Sequence, residues 1–259
     1  MIKRRPKLPQ ADRLQMYFGE PYVIDLPEVP GSFTIIQPTI GDLVRFGEKN
    51  FFPTLGIFTT NTTQYRAMLW EQKIDWNEIS DFELFCLLYK GINPDAAKML
   101  FGDNIDFSRF EIKTLPTTDG PQLVLYDAED NIGINDTVYY MISDYLRDLF
   151  NMHPEDEYTE DKILKKWWVE KDQREENRKK DKEESSASIQ SLISACVNHP
   201  GFKYNLQELK DVGVAQFYDS VRRLQLYESA TAVMKGMYSG MVDSKKIPPE
   251  SYNWMGDIK

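Results

Sequence analysis

The sequence contains one pair of side chains with a spacing that metal ions accept. Cys196 and His199 form a C-x-x-H pair, and thiolate and imidazole groups are both zinc ligands. A structural zinc ion needs four ligands, however, and the only bridging alternative would recruit the distant Cys86 and His153. We therefore expect a buried thiol and a histidine at a helix end, with no metal and no other cofactor.

The acidic loop that begins at Asp127 has part of the pattern of a calcium-binding loop. Asp127, Glu129 and Asn131 stand at ligand positions. The sixth position, which requires glycine, is Ile132, and the twelfth is Val138 instead of glutamate. Because the match fails at both positions, we expect a polar turn that caps the following helix.

Nothing in the sequence assembles a catalytic site of a known type. The phosphate-binding, dinucleotide-binding, nucleophile-elbow and zinc-protease motifs are all missing. Cys86 lies in the apolar run LFCLLY, where a thiolate nucleophile is disfavoured. We expect a protein that is not an enzyme, with an enzyme of unrecognised site as the third hypothesis.

The overall charge argues against a nucleic-acid partner. The net charge is −10 and the sequence pI is about 4.9, whereas a phosphate-binding face needs excess Lys and Arg. A short basic arm, Lys3 to Lys7, is the local exception, and we interpret it as solvated. The sequence has no apolar run of about 18 residues and no apolar signal core, so we expect a cytosolic protein without membrane contact.

The elements that would carry any site are mostly helices. Ser80 and Glu83 match a capping box, and the residues from 136 to 150 place apolar side chains on one helical face. Two β-rich runs, from Phe107 and from Gln122, flank a turn at Thr117 to Gly120 and predict a hairpin. We predict an α+β fold, mostly helical, with a small antiparallel sheet or hairpin in the N-terminal domain and an all-helical C-terminal part.

A long charged stretch divides the chain. We predict a mixed α+β domain over residues 1–154, a linker over 155–184 and a helical region over 185–259. Trp167 and Trp168 allow the first half of the charged stretch to dock as a helix. The second half lacks apolar residues, which leaves open either an exposed helix held by ion pairs or a disordered linker.

The long C-terminal helix has two apolar stripes. The first is formed by Val214, Phe217, Val221 and Leu224, and the second by Leu226, Ala230, Val233 and Met237. A helix that is apolar on two faces needs two partners. The predicted partner-binding residues are therefore Leu226, Val233 and Met237, together with Trp167 and Trp168, since adjacent tryptophans on a helix point about 100° apart.

Three stretches together resemble a known family. They are FTIIQPTIGDLVRFGEKNFF (33–52), SDFELFCLLYKGI (80–92) and the block from Asn205 to Val242. As a set they resemble small proteins of bacteriophage and prophage tail modules, especially tail assembly chaperones. The hairpin and the charged stretch have no counterpart in that pattern, and the chain is longer than many such chaperones.

The resemblance implies a function without chemistry. It implies a tail assembly chaperone in the host cytoplasm that binds the tape-measure protein or other tail subunits before assembly. Self-association into a homo-oligomer is a further partner option. The alternative is a structural protein of the virion tail or baseplate.

Overall fold

A computed structural model describes residues 11–117, 120–181, 188–241, 243, 245 and 247–256. Ten helices and five strands are assigned within these residues. The helices are α1 (Arg13–Phe18), α2 (Ile40–Phe46), α3 (Glu48–Thr59), α4 (Arg66–Glu71), α5 (Asp81–Leu88), α6 (Pro94–Phe101), α7 (Asp136–Phe150), α8 (Lys162–Asp181), α9 (Ile189–Val197) and α10 (Val214–Tyr238). The strands are β1 (Tyr22–Asp25), β2 (Ser32–Ile35), β3 (Glu111–Thr117), β4 (Gly120–Asp127) and β5 (Ile132–Ile134).

The strands form two small antiparallel sheets, which confirms the predicted mostly helical α+β class. One sheet pairs β1 with β2, with Tyr22 opposite Ile35. The other has the order β3-β4-β5, with Ile112 opposite Leu125 and Leu125 opposite Ile134. The hairpin of β3 and β4 confirms the prediction, although residues 118 and 119 of its turn lie outside the described residues.

Two features of this sheet differ from the predicted secondary structure. The predicted strand from Phe107 begins only at Glu111, because Phe107–Arg109 form a short 3-10 turn. Asp106 accepts a hydrogen bond from the backbone N–H of Ser108 and holds that turn. The third strand, β5, was missed because three residues are too few to show an alternating pattern.

Helix starts follow the capping chemistry of the sequence. Ser80 and Glu83 form the predicted capping box at α5, and Thr39 and Asp42 form another at α2. At the start of α7, Asn135 accepts a hydrogen bond from the backbone N–H of Val138 at 2.9 Å. The acidic loop before α7 therefore leads into a cap, as predicted.

The main core lies between α3, α5, α6 and α7. Phe58 is buried at its centre, and its ring contacts those of Phe85, Phe101 and Phe107 at 5.2–5.3 Å between centroids. Arg147 of α7 is buried beside it and donates to the carbonyls of Thr59 and Thr60, at 2.8 and 2.6 Å. These carbonyls end α3, so a cation satisfies acceptors that the helix itself leaves open.

The C-terminal region packs into this same core. Val214, Phe217 and Val221 of α10 are buried in one cluster with residues of α3 and α7. The backbone also joins the two regions, because Ile40 donates to Val212 at 2.9 Å and Val214 donates to Pro38 at 3.2 Å. The predicted domain boundaries stay a prediction, but residues from both sides of them complete a single cluster.

One glycine allows this close approach. A Cβ atom on Gly41 of α2 would lie 2.7 Å from the carbonyl oxygen of Lys210, which is closer than real Cβ contacts. Any larger residue at this position would push α2 away from the turn before α10. The contact between the N-terminal and C-terminal regions therefore depends on a position without a side chain.

The charged stretch is helical over residues 162–181, which favours the helical option of the prediction. Only one apolar side chain of α8, Val169, is buried, at 2% exposure, and it packs with Leu69, Trp76 and Leu84. Residues 182–187 lie outside the described residues. The helix is thus docked over its first half, and ion pairs at i,i+4 spacing, such as Lys171 with Glu175, continue beyond Val169.

Candidate partner-binding surface

The first half of α10 is anchored by its first apolar stripe. Val214, Phe217 and Val221 recur at i, i+3 and i+7 and lie on the buried side of the helix. Arg222 also donates to the side-chain oxygen of Asn151, just beyond the end of α7, at 2.9 Å. This half of the helix is therefore fixed to the body of the protein.

The second half of α10 is much more exposed. Between Leu224 and Tyr238, Ala230 is the only buried residue. Of the predicted partner-binding residues here, Leu226 is 39% exposed, while Val233 and Met237 are half-buried. The second predicted stripe is therefore only partly buried.

The more exposed apolar side chains lie on α10 about 100° around the helix axis from the predicted stripe. Tyr227, Met234 and Tyr238 recur at i, i+7 and i+11, and all three are exposed, Tyr238 by 83%. Met241, just after the helix, is 87% exposed. This row was not among the predicted partner-binding residues, although its helical spacing is present in the sequence. We define the α10 face as Leu226, Tyr227, Val233, Met234, Met237 and Tyr238.

The chain's own tail covers part of the α10 face. The turn Pro249–Tyr252 packs on α10, and the ring of Trp254 meets that of Tyr227 edge-on at 5.3 Å. Arg223 donates to the carbonyls of Trp254 and Gly256, at 2.9 and 2.7 Å. Trp254 thus lies against α10, whereas the next residue, Met255, is exposed.

The two tryptophans of α8 have different environments. Trp167 is 55% exposed, whereas Trp168 is half-buried against the small cluster around Trp76. The guanidinium of Arg66 lies 5.2 Å from the centre of the Trp168 ring. Trp168 therefore helps to dock α8 on α4, which leaves Trp167 as the tryptophan of this pair that a partner can reach.

Buried charges complete the docking of α8. Arg66 of α4 is buried and donates from Nη2 to Asp172 at 2.8 Å; it also pairs with Glu157. Burial by itself lowers the pKa of the Arg66 guanidinium, but its hydrogen bonds to Asp172 and Glu157 outweigh this and hold the pKa above its usual range. Lys165 of α8 pairs in the same way with Asp75.

Neither cysteine has the environment of a nucleophile. Burial, with a smaller contribution from the charge of Glu83, raises the pKa of the Cys86 thiol to about 12. Burial also raises the pKa of the Cys196 thiol. The Nε2 atom of His199 lies 3.3 Å from the Oε1 atom of Glu228, so this nitrogen faces a carboxylate. Within the part of the chain that the structure describes, no three His, Cys, Asp or Glu side chains cluster as metal ligands would.

The acidic loop after β4 forms ion pairs with an internal cation. Arg109 lies 3.0 Å from the buried Asp127 and 3.1 Å from Glu129, and it also contacts Asp130. The guanidinium of Arg109 therefore pairs with Asp127 and Glu129, two of the residues at the calcium-ligand positions of the sequence pattern.

The basic arm of the sequence, from Lys3 to Lys7, lies outside the described residues.

Comparison with known proteins gives one match. A family model described as the YomV second domain matches residues 178–259, about a third of the chain. YomV is a Bacillus prophage protein, and the family is associated with phages and prophages. No curated protein and no solved structure matches the chain. Over the described residues, no helix has the length and apolar character needed to span a bilayer.

Proposed function

We propose that this protein is a phage tail assembly chaperone that binds a tail subunit, with the tape-measure protein as the leading client. The observation that carries the proposal is the exposed α10 face, which lies inside the region that matches a phage-associated family. Apolar side chains clustered on one surface mark interaction sites. The protein acts by binding, without chemistry, in the host cytoplasm.

The geometry of the α10 face fits a helical client. An exposed helix with apolar residues at i, i+7 and i+11 offers a continuous row to a second helix. Residues 225–238 carry only two formal charges, Glu228 and Lys235, which cancel. Apolar contact therefore dominates recognition here, and Trp167 of α8 is a second, separate contact candidate.

Co-purification with the tape-measure protein tests the client. The double variant Leu226→Asp and Val233→Asp is expected to abolish association, because two carboxylates would be buried without partners. Circular dichroism should show unchanged helicity, since both side chains are partly exposed. Ala232→Asp, at an exposed position opposite the α10 face, is the matched control and should bind normally. Unchanged binding of the double variant would place the client elsewhere, with Trp167 and Trp168 examined next.

Mass spectrometry of purified virions tests the class of function. A chaperone acts before assembly is complete, so the protein should be absent from finished particles. Its presence at the copy number of a tail component would assign it instead to the structural proteins of the tail or baseplate. Light scattering of the isolated protein would show whether the α10 face joins two copies.

A further inference from the structure

The tail lies where a partner of the α10 face would lie. Arg223, Tyr227 and Ala230 are spaced at i, i+4 and i+7, so they share one side of the helix. The tail contacts the first two directly, and the third is only 2% exposed although its neighbours in sequence are not buried. The tail therefore lies along the side of α10 that carries Arg223 and Tyr227.

The attachment of the tail is shallow. None of the described tail residues from 247 to 256 is buried, and Met255 is 74% exposed. Its contacts with α10 include one aromatic pair and two hydrogen bonds from Arg223. Segments with few buried apolar contacts open at low free-energy cost, so the tail can leave without unfolding the core.

The residue of α10 that donates to the tail carbonyls, Arg223, is positioned by another residue of the same helix. Asp219 lies 3.8 Å from Arg223, one turn earlier on the same helix, and holds its charge near the tail site. The two acceptors that Arg223 contacts are backbone carbonyls, which every polypeptide carries. Among the described residues, the tail also supplies a side-chain contact, the Trp254 ring against Tyr227.

We infer that residues 249–256 mask the part of the partner site around Tyr227, and that the partner displaces them with a segment of like chemistry. That segment presents an aromatic ring to Tyr227 and free backbone carbonyls, such as those at the end of a helix, to Arg223. This inference rests on the proposed function for the existence of a partner, but it concerns the chain's own tail. A tail that covers this part of the apolar site until the client arrives reduces non-specific association.

A labelled peptide with the sequence of residues 247–259 tests the inference against the full-length protein. Fluorescence anisotropy measures its binding to the wild type and to Trp254→Ala. In the wild type the tethered tail competes at a high effective concentration, on the order of millimolar. Releasing the tail by Trp254→Ala should therefore tighten peptide binding by roughly ten-fold or more. Met255→Ala, at an exposed position of the same tail, is the matched control and should bind like the wild type.

A second substitution locates the site. Adding Tyr227→Ala to Trp254→Ala should abolish the gain in peptide binding, with circular dichroism verifying the fold. Equal binding by the wild type and Trp254→Ala would overturn the masking, and a gain that survives Tyr227→Ala would overturn the location. The two proposals fail separately: the peptide results do not involve the tape-measure protein, and co-purification does not depend on the peptide.

Discussion

Helices α8 and α10 are both long, and they are attached to the protein by different forces. The attached half of α10 buries Val214, Phe217 and Val221 in the main core. The attached half of α8 buries a single apolar residue, Val169, and relies on ion pairs with Arg66 and Asp75. Helix α10 is held by apolar residues of its own sequence. Helix α8 is held mainly by ion pairs with residues about a hundred positions earlier in the chain.

The difference between α8 and α10 shows which kind of helix docking can be predicted from the sequence of the helix alone. An apolar stripe is encoded within the helix that carries it, so it is visible at helical spacing. An ion pair needs one partner from elsewhere in the chain, and exposed and docked charges look alike in sequence. The charged stretch was therefore ambiguous between an exposed helix and a linker, although its first half is firmly docked.

The largest expected effect comes from truncating the apolar anchor of α10. Phe217→Ala removes a fully buried ring and should destabilise the protein by about 3–5 kcal/mol. Urea unfolding followed by circular dichroism measures the change. Tyr238→Ala, at the exposed end of the same helix, should stay within about 0.5 kcal/mol of the wild type. A small loss for Phe217→Ala would show that α10 is only loosely joined to the core.

A smaller, local effect is expected from the charged anchor of α8. Arg66→Met leaves Asp172 and Glu157 without their cation and should weaken the docking of α8 by about 2 kcal/mol. The loss is moderate because both carboxylates are partly exposed and can hydrate. Hydrogen exchange should accelerate in residues 162–181 and remain slow in α3 and α7. Lys166→Met, whose side chain is largely exposed, is the control; equal acceleration in both variants would contradict the role of Arg66.

Much of the fold could be predicted from local signals. The capping box of Ser80 and Glu83, the bounds of α7 and the hairpin of β3 and β4 follow from short-range chemistry that the sequence displays. Strand β5 could not be predicted, because its three residues are defined by pairing with β4 and not by their own pattern.

The candidate surface was predictable only in part. The spacing of the apolar residues predicts the two stripes of α10; in the first, Val214, Phe217 and Val221 are buried and Leu224 is half-buried. The row of Tyr227, Met234 and Tyr238 was not predicted, because amphipathic side chains such as tyrosine are common on both buried and exposed helix faces. The pairing of Trp254 with Tyr227 depends on a chain reversal after α10, which no local pattern specifies.

Limited proteolysis addresses the undocked half of α8. Trypsin should cut first between Lys171 and Lys182, because the described residues after Gln173 have exposed side chains up to position 178. Because α10 completes the core, the two fragments should stay together on size-exclusion chromatography after the cut. Separation of the fragments would show that residues 185–259 form an independent domain. Early cleavage elsewhere, with this segment resistant, would show a fully packed helix.

The smallest expected effect concerns the exposed ion pairs of α8. Glu170 lies 3.9 Å from Lys166 and 3.4 Å from Arg174, one turn to either side. Glu170→Gln should cost only about 0.3–0.5 kcal/mol, since exposed pairs at this spacing contribute little each. The loss should come mainly from Arg174, because an acid that precedes its base by four residues has the more favourable orientation. Repeating the urea titration in 1 M NaCl, where the Debye length is about 3 Å, should bring Glu170→Gln and the wild type together. A loss as large as that of Arg66→Met, or one that salt does not reduce, would mean that Glu170 also holds α8 to the body, and the contrast between buried and exposed charges in this helix would fail.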